Sequence, residues 1–214
     1  MIEPDVTDEV ERLRRAVRPL ADRPVEPGWN LAELSDVIDP KLQRRSAAVL
    51  VPFVRRDDKL SILFTRRTAH LRTHARQISF PGGAIEAGDA DPVAAALRET
   101  FEETGIEPGR VEPFGYLDGF ETVSGYFVSP VTGFVRGDYR LKPDPEEVDE
   151  VFEVPFDFIL APERLRRLDF DWNGRTRTTY EFEWDGRRVW GATASIIKNL
   201  LRRLDDAEVR SPRS

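Results

Sequence analysis

Cysteine is absent from the 214-residue chain. That excludes a disulfide framework and any thiolate metal site, zinc ribbons included. Histidine occurs only as His70 and His74, so a bound metal must rely on oxygen ligands, which suits magnesium, manganese or calcium. Also lacking is any run of about 18 consecutive apolar residues, which argues against a membrane-spanning helix. The opening residues, Met1 to Val6, are acidic where an export signal needs a basic start and an apolar run. Positive charge is in deficit: 32 Lys and Arg against 39 Asp and Glu leave a net charge of −7, which argues against broad coating of nucleic acid. What is present is a hydrophobic content of 40%, enough to build a sizeable core. The expectation is a cytoplasmic protein of one domain with an appended arm, binding neither nucleic acid nor membrane.

From Ser46 onward the texture is that of strands with short helices between them. Residues 47–54 form an apolar run of strand length and residues 60–64 a second one, joined by the turn-forming Asp57-Asp58 into a hairpin. Residues 78–80 predict a short strand, stopped by Pro81-Gly82-Gly83. Residues 92–104 read as a helix, with Asp91 at the N-cap, Pro92 at the first helical position and Gly105 as the stop. Val93, Leu97 and Phe101 are four apart and are expected to form its buried stripe. Further strands are predicted at 115–117, 126–135, 151–154, 179–184 and 189–190, the last two joined by the hairpin dipeptide Asp185-Gly186. Trp190 is expected in the core at a strand end. A final helix over 192–204 carries Ile196, Ile197, Leu200, Leu201 and Leu204 on one side. Before Ser46, Val10, Leu13, Val17 and Leu20 recur near helical spacing, and residues 24–31 read as irregular. The chain thus divides into an arm over 1–45, a main domain over 46–205 and a flexible tail over 206–214.

The helix at 92–104 carries the chemistry. Glu99, Glu102 and Glu103 stand at i, i+3 and i+4, which brings three carboxylates toward one face. Like charges at that spacing repel, by roughly a few tenths of a kcal/mol per pair. A divalent cation removes the penalty and takes the same oxygens as hard ligands. Arg98 adjoins the cluster and can hold carboxylates with its planar fork. Gly82-Gly83 lets backbone approach a metal or a phosphate closely. Glu-rich helices are more often solvated faces; the loop before this one and the Gly105-Ile106 stop after it distinguish it.

The segment resembles the Nudix box: Gly, five residues, Glu, seven residues, then Arg-Glu-aliphatic-x-Glu-Glu-x-Gly-aliphatic. Arg98-Glu99-Thr100-Phe101-Glu102-Glu103-Thr104-Gly105-Ile106 matches its second half, with Thr100 at the first aliphatic position. In the first half, Gly83 is followed by five residues, then Asp89 in place of Glu, then eight residues before Arg98. An extra loop residue and an Asp here resemble the subgroup acting on coenzyme A. That subgroup also has an upstream stretch, Leu-Leu-Thr-x-Arg-(Ser/Ala)-x-x-Leu-Arg-x-His-x-Gly-Gln-(Ile/Val)-(Ser/Ala)-Phe-Pro-Gly-Gly. Here Leu63, Thr65, Arg67, Leu71, Arg72, His74, Gln77, Ile78, Ser79, Phe80, Pro81, Gly82 and Gly83 match it. Phe64 and Thr68 depart mildly, and Arg76 stands where the pattern has Gly. Residues 189–194 are similar to the subgroup's closing strand-to-helix turn.

The resemblance implies an α/β fold, the Nudix α/β/α sandwich, with a mixed curved β-sheet and a loop-helix-loop catalytic motif. It implies a metal-dependent hydrolase that cuts the diphosphate of coenzyme A or its thioesters into 3′,5′-ADP and (acyl-)4′-phosphopantetheine. Glu99, Glu102 and Glu103 would ligate Mg2+ or Mn2+, with the Gly83 carbonyl as a further ligand, and Arg98 would orient the carboxylates. The general base would be a box glutamate or Glu147, for which an exposed loop acid is the plain alternative. Arg67, Arg72, Arg76 and Gln77 would contact the substrate's phosphates, although singly each arginine reads as a solvated surface residue; His74 reads as exposed. Two other readings stay open: a diphosphatase for ADP-ribose, dinucleotides or nucleoside triphosphates, and a nucleotide-binding module without catalysis. The complete Arg98-Glu99 and Glu102-Glu103 set argues against the module. A homodimer is expected, as the family often forms one.

Overall fold

Residues 47–54 decide the layering. Even and odd positions of a strand face opposite ways, and here both sides are apolar, as in a strand covered on both faces. In the computed structural model, which describes residues 6–34, 44–69, 76–137, 139–172 and 174–210, these residues lie in β1 (Arg45–Arg56). Ala47, Val51 and Phe53 point into one core, Ala48, Leu50 and Val54 into another. The second core is closed by α3 (Pro92–Thr104) through the small residues Ala95 and Ala96. The first is closed by α1 (Val6–Ala16), α4 (Phe156–Leu160) and α5 (Ala192–Arg210), with Leu13, Phe156, Ile159, Ile196, Ile197 and Leu200 in one apolar cluster. The result is a sheet sandwiched between helices, the α/β/α arrangement.

The sheet is mixed and open. β1 forms the predicted hairpin with β2 (Lys59–Arg67) and pairs in parallel with β7 (Tyr126–Val135), which is flanked by β5 (Val111–Tyr116) and β6 (Phe120–Glu121). β8 (Val148–Pro155) lies antiparallel to β2. β1 and β2 pair directly only over 53–56 and 59–62; beyond that, β3 (Ile78–Ser79) pairs with β2 and β4 (Gly82–Ala84) with β1. This wedge between parting strands brings Gly82-Gly83 alongside α3. A second sheet of β9 (Arg166–Trp172), β10 (Arg175–Trp184) and β11 (Arg187–Trp190) sends Phe182 and Val189 into the first core.

Several expectations need correction. Of the stripe Val93, Leu97, Phe101, the first two are half-buried against the second core but Phe101 is 48% exposed, and the deepest face of α3 is Ala95, Ala96, Thr100, Glu103 and Thr104. Trp190 is 41% exposed: Val189 points inward, so period-two alternation turns its neighbour out. Leu20 lies past the end of α1 and is exposed, and Leu31–Leu34 form one helical turn, α2. Residues 206–210 continue α5 instead of starting a tail. Residues 6–34 of the arm pack on the main domain, a point the sequence leaves open. Arg18 and Tyr116 exchange backbone hydrogen bonds of 2.8 and 2.9 Å, and the Gly28 N–H donates to the buried carboxylate of Glu121 at 3.0 Å. Among the described residues no helix is long and apolar enough to cross a membrane.

Candidate active site

The start of α3 is built from local rules. Asp91 accepts a hydrogen bond from the Ala94 N–H at 2.8 Å, Pro92 follows in the first turn, and Gly105 ends the helix in the left-handed conformation. Thr100, which stands where an aliphatic residue is usual, is fully buried, and its hydroxyl is satisfied by the Ala96 carbonyl at 2.6 Å.

Arg98 is the hub of the acidic face. Its Nε and one terminal nitrogen donate to both oxygens of Asp89, each at 3.0 Å, a bidentate fork across the loop. The other terminal nitrogen donates to Glu99 at 2.9 Å and Glu102 at 3.0 Å, and a further bond reaches the Ala84 carbonyl at 3.1 Å. The guanidinium holds the Asp89 carboxyl below its ordinary range, and the Glu86 N–H adds to this. Asp89 is therefore a site residue that the candidate set lacks, although its spacing from Gly83 marks it. Glu102 remains the outermost of the three, more than half exposed.

Glu103 has the opposite surroundings. Only 4% of its side chain is exposed, Arg67 approaches one oxygen at 3.8 Å, and the other oxygen is buried without a hydrogen-bond partner among the described residues. Burial pushes its carboxyl up to about 8; the charges of Glu147 and Glu99 add to this, while Arg67 and the Gly82 N–H oppose it. Burial likewise raises Glu99, against the pull of Arg98 and with the push of Glu102 and Glu147. Gly83 lies so close that a Cβ there would sit 2.6 Å from the Glu99 carboxyl carbon, and Gly82 has a φ of 152°. Both glycines are required, one by close approach and one by conformation.

Glu147 stands near enough for its charge to act on Glu99 and Glu103, and its segment is held by Thr68. Thr68 donates its N–H to the Glu147 carbonyl at 2.9 Å and its hydroxyl to the Glu146 carbonyl at 3.0 Å. Nothing in the sequence announces that clamp. Of the upstream residues, the Arg67 N–H donates to the Gln77 carbonyl at 3.0 Å, and Arg76 is exposed with a φ of 60°. A left-handed residue explains why glycine suits that position in the upstream pattern. Arg72, His70 and His74 lie outside the described residues.

Among the described residues, no three acidic or histidine side chains stand ready to cage one ion, since Arg98 draws on Glu99 and Glu102 while Glu103 turns inward. The fit to a divalent cation rests on other features. One Glu103 oxygen is buried without a hydrogen-bond partner among the described residues, the charges of Glu99 and Glu147 push against that carboxyl, and the Gly83 backbone lies hard against Glu99. Hard oxygen donors of this kind suit Mg2+ or Mn2+.

Comparison with known proteins identifies the family. A family model, the NUDIX domain, matches residues 44–173. The chain is similar to an uncharacterized Nudix hydrolase, NudL, from Enterobacter sp. (strain 638) and from Escherichia coli (strain K12). In each case identity is 42% over 159 residues, covering 74% of this chain and 82% of the relative. Among solved structures it is similar to a MutT/nudix family protein from Enterococcus faecalis, at 17% identity, a TM-score of 0.49, and coverage of 79% of this chain and 65% of the other. The family match and the NudL identities together establish that the chain belongs to the Nudix hydrolases.

Proposed function

We propose that this Nudix hydrolase is a metal-dependent diphosphatase that cuts coenzyme A or its thioesters into 3′,5′-ADP and (acyl-)4′-phosphopantetheine. One observation carries the reading: the described ends of the upstream pattern over 63–83 lie on β2, β3 and β4, and it closes on Gly82, whose N–H bonds Glu103, and Gly83, which packs against Glu99. A recognition stretch joined in this way to the acidic cluster suits a substrate whose diphosphate must meet those acids. Nudix hydrolases generally depend on a divalent metal.

Glu99, Glu102 and Glu103, with the Gly83 carbonyl, would hold Mg2+ or Mn2+. The ion supplies charge neutralisation for the diphosphate and a lowered pKa for bound water. Arg98 spends every donor on carboxylates and the Ala84 carbonyl, so it positions the ligands and leaves the substrate to others. Glu147, exposed beside Glu99 and Glu103, would accept the proton of the attacking water. Water attacks one phosphorus and the other phosphate departs as a monoester. Arg67 has a buried Nε without a partner among the described residues, and it directs its fork to a phosphate oxygen. Arg76, Gln77 and Arg72 extend the same stretch.

The test is a panel of coenzyme A, acetyl-coenzyme A, ADP-ribose and a dinucleoside polyphosphate, with Mg2+ or Mn2+ and products identified by mass. Release of 3′,5′-ADP and 4′-phosphopantetheine is expected. Intact coenzyme A beside rapid turnover of ADP-ribose overturns the substrate.

A further inference from the structure

The outward turn of Phe101 opens a cleft that the acidic cluster does not use. It lies at the C-terminal end of α3, has a volume of about 750 Å³, and shares Glu102 with the site described above. Its far wall is the segment 139–145, and the two walls are fixed to each other. The Lys142 N–H donates to the Thr104 carbonyl at 2.8 Å and the Asp144 N–H to the Glu103 carbonyl at 3.2 Å. A Cβ on Gly105 would sit 2.9 Å from Lys142 Cβ, so the approach needs glycine there.

Three cations line this cleft, Arg110, Arg140 and Lys142, and none has an ion pair or hydrogen-bonded side-chain partner among the described residues. Neighbouring arginines are committed: Arg66 to Asp149, Arg136 to Glu112, Arg187 to Glu150. Of the acids in the cleft, Glu102 is drawn to Arg98 and Asp144 is turned onto the Glu146 N–H of its own segment, so neither carboxylate pairs with the three cations. Unspent guanidinium and ammonium groups beside a half-exposed aromatic ring match a nucleoside phosphate. The ring offers a stacking face and the cations suit phosphate oxygens.

We infer that this cleft seats the nucleotide half of the substrate, with Phe101 against the base and Arg110, Arg140 and Lys142 around the 3′-phosphate. The inference rests on the coenzyme A reading and adds a specificity site to it. It places the nucleotide beyond Glu102 and leaves the pantetheine arm on the side of Arg67.

Two measurements on the full-length protein test it. Calorimetric titration with 3′,5′-ADP and with 5′-AMP should show the bisphosphate bound roughly tenfold tighter, a preference that R140A/K142A erases. The ratio of kcat/KM for coenzyme A over its 3′-dephospho form should fall about tenfold in the same variant. Damage to folding or to the chemistry lowers both substrates together and leaves the ratio alone. An unchanged ratio, with coenzyme A still cut, overturns the cleft and spares the proposed function. A bisphosphate preference that R140A/K142A erases in a protein that leaves coenzyme A intact upholds the cleft as a nucleoside-bisphosphate site and overturns the substrate.

Discussion

Glu102 and Glu103 are adjacent in sequence and opposite in surroundings, the first more than half exposed and the second almost wholly buried. A buried carboxylate with an orphaned oxygen is costly unless a cation joins it. Glu99→Gln and Glu103→Gln should therefore each lower kcat by about a hundredfold or more while thermal melts still show a folded protein. Arg98→Lys tests the hub: three donors on a flexible stem cannot replace the fork to Asp89. Turnover should drop about 10- to 100-fold, and a rate within a factor of two of wild type contradicts the positioning role. Gly83→Ala would press a methyl group into the Glu99 carboxyl at 2.6 Å, so its rate should fall by roughly a hundredfold with a smaller loss of stability. The cluster was legible because i, i+3, i+4 spacing is a property of neighbouring residues. Asp89 was harder to place as the partner of Arg98, because it lies before the helix N-cap and the chain has to fold back along the first turns of α3 to bring the two together.

At the scale of elements, Asp118 ties the end of β5 to α5 and the arm. It accepts from Asn199 at 2.9 Å and from Arg202 and Arg203 at 2.8 Å each, and Arg203 also donates to the Ala16 carbonyl. Burial pushes the Asp118 carboxyl up, but these donors outweigh it and hold it below its ordinary 3.8. The native state then binds fewer protons than the unfolded chain, so the contribution to stability is complete above the unfolded pKa and lost as pH falls through the lower native value. Asp118→Ala should cost about 1–3 kcal/mol near pH 7 by denaturant unfolding, and the gap to wild type should narrow as pH falls below 3.8. A gap that persists in acid contradicts this linkage. The same scale shows what the sequence conceals. α3 was readable from its caps, Asp91, Pro92 and Gly105. Its buried face was not, because Ala95 and Ala96 bring the helix close to the sheet by being small, and a search for large apolar residues finds Phe101 instead. β9 is held by pairing with β10 and by polar links such as Thr178 to Asp169 at 2.7 Å, so its charged residues masked it.

For the whole molecule, one apolar cluster runs from Val6, Leu13, Ala16 and Val17 of the arm through β1 and β2 to α5. Burying such side chains contributes about 1.5–3 kcal/mol each. Removing residues 1–34 should therefore lower Tm by roughly 10 °C or more, and an unchanged melt shows the arm to be dispensable. We propose that Glu99 and Glu103 at the Gly82-Gly83 bend, together with Glu102, bind a divalent ion on which hydrolysis depends. Titration of Mn2+ followed by electron paramagnetic resonance tests it most directly. Wild-type protein should quench the free-ion signal at near-stoichiometric concentrations, Glu99→Gln and Glu103→Gln should weaken that binding at least tenfold, and turnover should track occupancy. Equal quenching by wild type and both variants contradicts the account.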